Sequence, residues 1–82
     1  MNLIYMLSDE DYIYSIMEER YSNKTYFIIH DRFDNMRVKT KIPNRFRKLI
    51  LTEDGCWVTT LDDEETILFR YDGSSLYRYD ED

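Results

Sequence analysis

The amino-acid sequence predicts an α+β fold, in which one N-terminal strand and one helix pack on a mostly antiparallel β-meander sheet. Three observations lead to this class. Apolar residues recur at helical spacing over residues 9–21, and hydrophobic and polar residues alternate over residues 25–42. Asp-Gly dipeptides at 54–55 and 72–73 mark tight turns between apolar runs. The first observation favours a helix and the other two favour hairpins.

Size and composition favour a single domain over residues 1–82. A chain of 82 residues is too short for a second hydrophobic core, and its 43% of hydrophobic residues suffices for one. The single cysteine, Cys56, has no partner for an internal disulfide. The apolar run at the N-terminus lacks a basic flank and is too short for a signal peptide or a membrane span. We therefore expect a cytoplasmic protein with no membrane contact.

The N-terminal residues are expected to form the strand and the helix. Asn2 to Leu7 is an apolar run that predicts a short buried strand. Ser8 then suits the N-cap of a helix from Asp9 to Tyr21, because the acidic residues that follow it would meet the positive end of the helix dipole. The stripe of this helix that faces the core would consist of Ile13, Ile16, Met17 and Arg20.

Residues 25–42 predict a hairpin whose tight turn is Asp34-Asn35. In that register Phe27 lies opposite Ile42 and Ile29 lies opposite Thr40. The face toward the core would carry Phe27, Ile29, Phe33, Met36, Val38 and Ile42. The reverse face would carry Tyr26, Ile28, His30, Arg32, Arg37, Lys39 and Lys41.

The C-terminal half predicts a short turn and two further hairpins. After Pro43, residues 44–48 are expected to form a turn or a single helical turn anchored by Phe46. The predicted strands then follow as Leu49–Thr52 and Cys56–Leu61 around Asp54-Gly55, and as Thr66–Tyr71 and Leu76–Tyr79 around residues 72–75. Residues 62–65 are four adjacent acids and therefore predict a solvated loop, since unpaired carboxylates are costly to bury.

Charge is distributed unevenly along the chain. The formal net charge is −6, from 17 acidic and 11 basic residues. Residues 1–23 hold five acids and one Arg, residues 24–51 hold eight Lys or Arg and two Asp, and residues 52–82 hold ten acids and two Arg. A basic middle segment therefore lies between two acidic ends.

The residue types that most enzymes require are scarce, so we expect no enzymatic activity, no cofactor and no metal. His30 is the only histidine, and its flanking residues are those of a surface strand. Cys56 has no second cysteine for a zinc or redox pair, so it is expected to be a small packed residue. The two glycines are too few for a phosphate-binding loop.

Acidic segments accompanied by tyrosines form the first candidate binding surface. They are residues 9–11, 18–19, 62–65 and 80–82, with Tyr12, Tyr14, Tyr71, Tyr77 and Tyr79. Eight tyrosines exceed the needs of so small a core, and exposed tyrosine among carboxylates suits a protein interface. The residues predicted to contact the partner are Asp62, Asp63, Glu64, Glu65, Tyr77, Tyr79 and Asp80.

The second candidate surface is the basic face of the predicted hairpin. It comprises Tyr26, Arg32, Arg37, Lys39 and Lys41, a set of cations with one aromatic residue that could hold single-stranded nucleic acid. The net charge of −6 disfavours general affinity for nucleic acid.

We therefore expect a binding protein, an inhibitor or regulator that docks on a basic site of another protein, such as a nuclease or a DNA-binding protein. In size and acidity the chain is similar to small phage-encoded inhibitors of host defence nucleases, anti-CRISPR and antirestriction proteins among them. This likeness implies an acidic surface that mimics DNA. An immunity protein or antitoxin, a single-stranded nucleic-acid binder and a symmetric dimer with paired basic and acidic zones remain alternatives.

Overall fold

The computed structural model describes residues 1–80, which form two four-stranded antiparallel sheets. The strands are β1 (Asn2–Ser8), β2 (Tyr12–Glu18), β3 (Thr25–Asp31), β4 (Met36–Ile42), β5 (Phe46–Thr52), β6 (Gly55–Thr60), β7 (Thr66–Tyr71) and β8 (Leu76–Asp80). No helix occurs among these residues, so the expected α+β class is wrong and the fold is all-β.

Each sheet is a simple meander. The N-terminal sheet has the order β1-β2-β3-β4 and the C-terminal sheet the order β5-β6-β7-β8, and residues 43–45 connect the two. Because antiparallel strands reverse direction at every turn, the turns gather at two ends of the molecule. We call the end with residues 9–11, 32–35, 53–54 and 72–75 the acidic end. The opposite end, with residues 19–24, 43–45 and 61–65, is the ion-pair end.

The segment predicted as a helix is strand β2 and its turns. Residues 12–18 pair with β1 on one side and with β3 on the other, so both sides of the backbone take part in a sheet. Tyr14 and Ile16 point into the core and are 8% and 0% exposed. Side chains of β2 point alternately to the core and to the outer face, as in any strand, although Ser15 on the outer face is itself buried at 5% exposed.

Strand β1 is confirmed, but its predicted burial is wrong. It is an edge strand that pairs only with β2 among the described residues, and Leu3 and Met6 are 53% and 57% exposed. The register shifts between Leu3 and Tyr5, which is typical of a β-bulge at a sheet edge.

The hairpin of β3 and β4 is confirmed with a register different from the predicted one. Phe27 pairs with Thr40 and Ile29 with Val38, a shift of two residues from the expected pairs. A shift of two preserves the faces of a strand, and so Phe27 and Ile29 still point into the core. Phe33 and Met36 were expected in the core, but they are 79% and 54% exposed. Phe33 lies in the turn of residues 32–35, and Met36 pairs with His30 on the outer face, where the register shifts.

The C-terminal hairpins are confirmed at both predicted turns. Leu49 pairs with Val58, as expected from their shared face, and β7 pairs with β8 across residues 72–75. Residues 46–48, expected to form a turn or a helical turn, instead begin β5. Phe46 is 2% exposed and anchors that strand in the core.

Side chains from both sheets form one hydrophobic core. Its buried members are Tyr14, Ile16, Phe27, Ile29, Ile42, Phe46, Leu49, Cys56, Val58, Ile67 and Phe69. Ile28 and Leu68 are also buried but lie outside this cluster, because they are central residues on the outer faces of the two sheets. Nowhere in residues 1–80 is there a helix long and apolar enough to cross a membrane.

Candidate binding groove

A groove with a volume of about 1050 Å³ opens at the acidic end of the molecule. Its aromatic walls are Tyr12, Tyr14, Trp57, Tyr71, Tyr77 and Tyr79, and its carboxylates are Asp9, Asp11, Glu53, Asp54 and Asp72. The lining residues come from both sheets and from three of the four turns at this end. The groove therefore exists only in the folded chain.

The turn between β1 and β2 places one carboxylate beside the core. Asp9 Oδ1 accepts hydrogen bonds from the backbone N–H groups of Asp11 and Tyr12, both at 2.8 Å. The other oxygen, Oδ2, accepts a hydrogen bond from the Tyr14 hydroxyl at 3.0 Å. Burial raises the pKa of Tyr14 far above its usual range, and the hydrogen bond to Asp9 adds to this effect. Tyr14 thus remains a neutral donor that holds Asp9 in place.

Three tyrosine rings meet at the inner wall of the groove. The ring centroids of Tyr12 and Tyr71 are 5.0 Å apart with an interplanar angle of 71°, and those of Tyr12 and Tyr14 are 6.4 Å apart at 68°. Both pairs have the edge-to-face geometry that aromatic rings prefer. The Tyr71 hydroxyl also donates to the Gly73 carbonyl at 2.9 Å, which ties this wall to the turn between β7 and β8.

The outer wall is an exposed aromatic face of the C-terminal sheet. Trp57 pairs with Leu68, which pairs with Tyr79, so the three side chains form one row. Tyr77 and Tyr79 are 57% and 58% exposed, whereas Leu68 beneath them is only 4% exposed. The Trp57 indole N–H donates to Thr52 Oγ1 at 3.2 Å, which fixes the indole ring.

Gly55, which lines the groove, allows a close approach between the backbones of β6 and β7. Gly55 has a φ of +143°, and a Cβ atom at this position would lie 2.5 Å from the carbonyl oxygen of Phe69. Only glycine fits this approach without a shift of the backbone. Cys56 and Trp57, the two residues that follow Gly55 in β6, both line the groove.

The carboxylates of the groove have no ion-pair partners in the part of the chain that the structure describes. The ion pairs among residues 1–80 involve Asp31, Glu65, Glu18 and Asp63, and none of these lines the groove. Hydrogen bonds from the backbone N–H groups of Ser74 and Ser75 lower the pKa of Asp72, so this carboxylate is ionised at neutral pH. The cation that lines the groove is Arg70, opposite Tyr77. The groove therefore presents a net negative charge.

The acidic loop predicted to bind a partner lies at the opposite end of the molecule. Asp63 pairs with Lys48 at 3.2 Å and Glu65 pairs with Arg45. Asp62 accepts a hydrogen bond from the Thr60 hydroxyl at 2.7 Å, and its pKa is lowered mainly by this bond. Two of the loop's four carboxylates are thus paired with cations of the basic middle segment.

Tyr77 and Tyr79 of β8, which were predicted to contact the partner together with residues 62–65, do not lie beside that loop. Tyr77 and Tyr79 line the groove at the acidic end together with Asp9, Glu53 and Asp72. The backbone of Asp80 pairs with Ile67, and its side chain lies outside the described part of the structure, as do residues 81–82. The structure therefore brings the predicted tyrosines together with carboxylates other than those of residues 62–65.

The predicted basic face is divided between two environments. Tyr26, Lys39 and Lys41 share the outer face of the N-terminal sheet, where Lys39 Nζ lies 4.5 Å from the centroid of the Tyr26 ring. Arg37 instead pairs with Asp31 at 2.9 Å, and Arg32 donates to the carbonyl of Glu10 at 2.7 Å. Both arginines therefore stabilise turns at the acidic end.

The groove residues that were not among the candidate contacts in the sequence include Glu53, Asp54, Trp57 and Asp72. Glu53, Asp54 and Asp72 belong to the two hairpin turns that the Asp-Gly dipeptides predict. Because side chains alternate along a strand, Trp57 lies on the face of the sheet opposite to that of the core residues Cys56 and Val58. The sequence could have indicated these residues, because successive hairpins of one meander bring every second turn to the same end of the molecule.

The remaining residues with reactive side chains are Cys56 and His30. Cys56 is 1% exposed, in agreement with its expected packing role, and burial raises the pKa of its thiol to about 12. His30 lies on the outer face of β3, as expected for a surface strand. Within residues 1–80, no group of three or more His, Cys, Asp or Glu side chains could hold a metal ion.

The fold and the groove define a small antiparallel β protein with an open, aromatic and acidic cleft at one end. Comparison with known proteins finds no matching family model, no matching curated protein and no matching solved structure.

Proposed function

We propose that the protein binds a basic surface of another protein in the groove at its acidic end and thereby inhibits or regulates that protein. The observation that carries this proposal is the contrast between the two ends. Glu18, Asp63 and Glu65 near the ion-pair end are paired with Arg47, Lys48 and Arg45, whereas no carboxylate of the groove has such a partner among the described side chains. The groove therefore retains the charge with which a basic partner can pair.

The aromatic walls provide the contact area that charge alone lacks. Tyrosine and tryptophan are enriched among the residues that dominate binding energy at protein interfaces. An arginine side chain suits this groove because its guanidinium can stack on a tyrosine ring while it hydrogen-bonds a neighbouring carboxylate. Tyr77 and Tyr79 expose their rings beside the turns that hold Glu53, Asp54 and Asp72. Both kinds of contact are thus available to one arginine-rich segment.

A titration with a defined peptide tests this proposal. The probe is a short arginine-rich peptide, and the readout is the fluorescence of Trp57, the only tryptophan in the chain and a groove residue. We expect saturable binding that weakens with salt, whereas a glutamate-rich peptide of the same length gives no change. Absence of saturable binding of the arginine-rich peptide at low salt would overturn the proposal.

Matched variants locate the site. We expect the triple variant Glu53→Gln, Asp54→Asn, Asp72→Asn to weaken binding about tenfold, because exposed ion pairs each contribute roughly 0.2–1 kcal/mol. The control neutralises Asp62, Asp63 and Glu64 in the same way and changes the net charge equally. If the control weakens binding as much as the groove variant, the groove is not the site and net charge alone explains the binding.

A further inference from the structure

A second unpartnered surface is the outer face of the N-terminal sheet. Leu3 pairs with Met17, while Met6 pairs with Ser15, which pairs with Ile28, so these side chains lie on the same outer side. We call the following set the aliphatic face: Leu3, Met6, Ile13, Met17, Ile28 and Met36. Ile28 is 3% exposed although it lies outside the core cluster, and its neighbours on the face cover it.

The aliphatic face is partly exposed and none of its members is acidic, although the carboxylate of Glu19, just after β2, accepts a hydrogen bond from Tyr26 on the same outer side, close to Lys39. Leu3, Met6 and Met36 are 53%, 57% and 54% exposed. The acidic residues of these strands point inward, since Glu18 pairs with Arg47 of β5 and Asp31 is 6% exposed. The only cations at outward positions of β4 are Lys39 and Lys41, on one border of the face. No carboxylate occupies an outward position on β1 to β4 within the described chain.

We propose that the aliphatic face is the interface of a symmetric homodimer. The chain has a net charge of −6, so most contacts between two copies would bring carboxylates together. On the aliphatic face this repulsion is small, because strands β1 to β4 carry no outward carboxylate and Glu19 at the border lies close to Lys24 and Lys39. Lys39 and Lys41 do not prevent the contact, because lysine buries its aliphatic stem along an apolar surface and keeps its ammonium group in water.

The dimensions of the face suit a small dimer interface. Four strands spaced about 4.8 Å apart and seven residues long at about 3.4 Å per residue cover about 450 Å² in projection. Two copies would bury twice this area, and the uneven surface of the side chains adds to it. The total buried area then approaches the lower limit of about 1,200 Å² for specific interfaces. This area is that of the whole outer face, in which Tyr26, His30, Lys39 and Lys41 lie beside the aliphatic residues.

A two-fold axis parallel to the strands gives a simple packing arrangement. It places β1 of each copy over β4 of the other, in the face-to-face packing that two sheets adopt about 10 Å apart. The stems of Lys39 and Lys41 then cover Leu3 and Met6. The groove lies at the acidic end, and the residues of β2 that line it, Tyr12 and Tyr14, are on the inner face of the N-terminal sheet, so it remains open in both copies and the dimer is independent of the proposed function.

Sedimentation velocity over a range of micromolar concentrations tests this proposal. We expect the unmodified chain to form dimers that persist at high salt, because an apolar interface is not screened. The double variant Leu3→Glu, Met6→Glu should shift the dissociation midpoint to at least tenfold higher concentration. Both residues are more than half exposed on an edge strand, so the fold should tolerate the change, which circular dichroism and Trp57 fluorescence can check.

Leu61→Glu is the matched control, since Leu61 is an exposed apolar residue at the ion-pair end, 73% exposed. It should leave the dimer unchanged. A monomer at high micromolar concentration, dissociation by salt, or equal weakening by Leu61→Glu would each overturn the proposal. Flotation of a monomeric protein with anionic phospholipid vesicles, abolished by the double variant, would overturn it as well and assign the face to a lipid surface.

Discussion

The rings of Phe27 and Phe69 stack across the interface between the two sheets. Their centroids are 4.6 Å apart, the planes are inclined by 21°, and the two residues are 0% and 2% exposed. Tyr14 stacks on Phe27 in turn, with centroids 6.4 Å apart. This layer of rings continues from the core into the inner wall of the groove, so the groove rests on the most buried part of the protein.

Truncation of this stack should be strongly destabilising. Replacement of a buried Phe by Ala costs roughly 3–5 kcal/mol, and a chain of this length has a total stability of about 4–12 kcal/mol. We therefore expect Phe69→Ala to be barely folded and Phe27→Leu to lose about 1–2 kcal/mol, as measured by urea unfolding. Phe33→Leu is the control, because Phe33 is 79% exposed. An equal loss in Phe33→Leu would contradict a special role for the stack.

A second prediction concerns Gly55. The substitution Gly55→Ala combines a backbone φ of +143° with a Cβ 2.5 Å from the Phe69 carbonyl oxygen, so β6 and β7 must move apart. Strain of this kind costs roughly 1–3 kcal/mol. Gly73→Ala is the matched comparison, since its φ is also positive at +97° but its nearest neighbour is the Tyr12 hydroxyl at 3.4 Å. Thermal unfolding should show a larger loss for Gly55→Ala, and the reverse order would argue against the close approach.

The helix predicted at residues 9–21 was wrong because the same local hydrogen bonds form at the start of a helix and in a turn between two strands. Asp9 accepts hydrogen bonds from backbone N–H groups two and three residues ahead, at Asp11 and Tyr12. An N-cap makes the same bonds at the start of a helix, and an Asx turn makes them between strands. The residues that follow decide between the two, and here they pair with β1 and β3 instead of forming a helix.

The spacing of apolar residues in β2 also has a physical explanation. Ile13 and Met17 lie on the outer aliphatic face, while Ile16 lies in the core, so the strand is apolar on both sides. A strand of this type lacks the alternation that identifies a half-buried strand, and by chance it matches the spacing of an amphipathic helix. The frequency of aromatic and β-branched residues over 12–16 was the signal in favour of a strand.

The existence of the hairpins could be predicted from the sequence more reliably than the residue pairs across them or the location of the candidate site. Asp-Gly dipeptides and alternation define the turns locally, but the register of β3 and β4 depends on Asp34, which adopts a left-handed φ of 66°. The choice between acidic surfaces depends on tertiary structure. Lys48 and Arg45 reach Asp63 and Glu65 only after β5 has paired with β6, whereas no cation forms an ion pair with the carboxylates of the groove among the described side chains.

Asp31 should make stability depend on pH. Its carboxylate accepts hydrogen bonds from the backbone N–H groups of Asn35 and Phe33 and from Arg37, and these lower its pKa, with Asn35 the largest cause. A carboxyl group whose folded pKa is depressed stabilises the protein above its unfolded pKa of about 3.9, and this stabilisation is lost as the pH falls through the folded value. We expect Asp31→Asn to have a lower Tm at neutral pH and a smaller deficit below about pH 4.

The control for this prediction is Asp54→Asn, which removes the same charge from an exposed turn. The carboxylate of Asp54 has no hydrogen bond or ion pair among the described residues. The Tm of this variant should therefore remain close to that of the unmodified chain across the pH range. A deficit in Asp31→Asn that stays constant down to about pH 2 would show that the ionised form of Asp31 does not contribute.

The thiol of Cys56 should report opening of the core beneath the groove. Burial raises its pKa to about 12, and the residue is 1% exposed, so at pH 8 it is protonated and inaccessible to reagents. We expect negligible reaction with a thiol-specific disulfide reagent in the native protein and rapid reaction in urea. Phe27 stacks on Phe69, which pairs with Cys56, so for labelling through global unfolding the variant Phe27→Leu should accelerate labelling about tenfold for each ~1.4 kcal/mol of stability lost. Rapid labelling of the unmodified protein, without denaturant, would mean that the strands lining the groove open locally while the rest of the core stays folded.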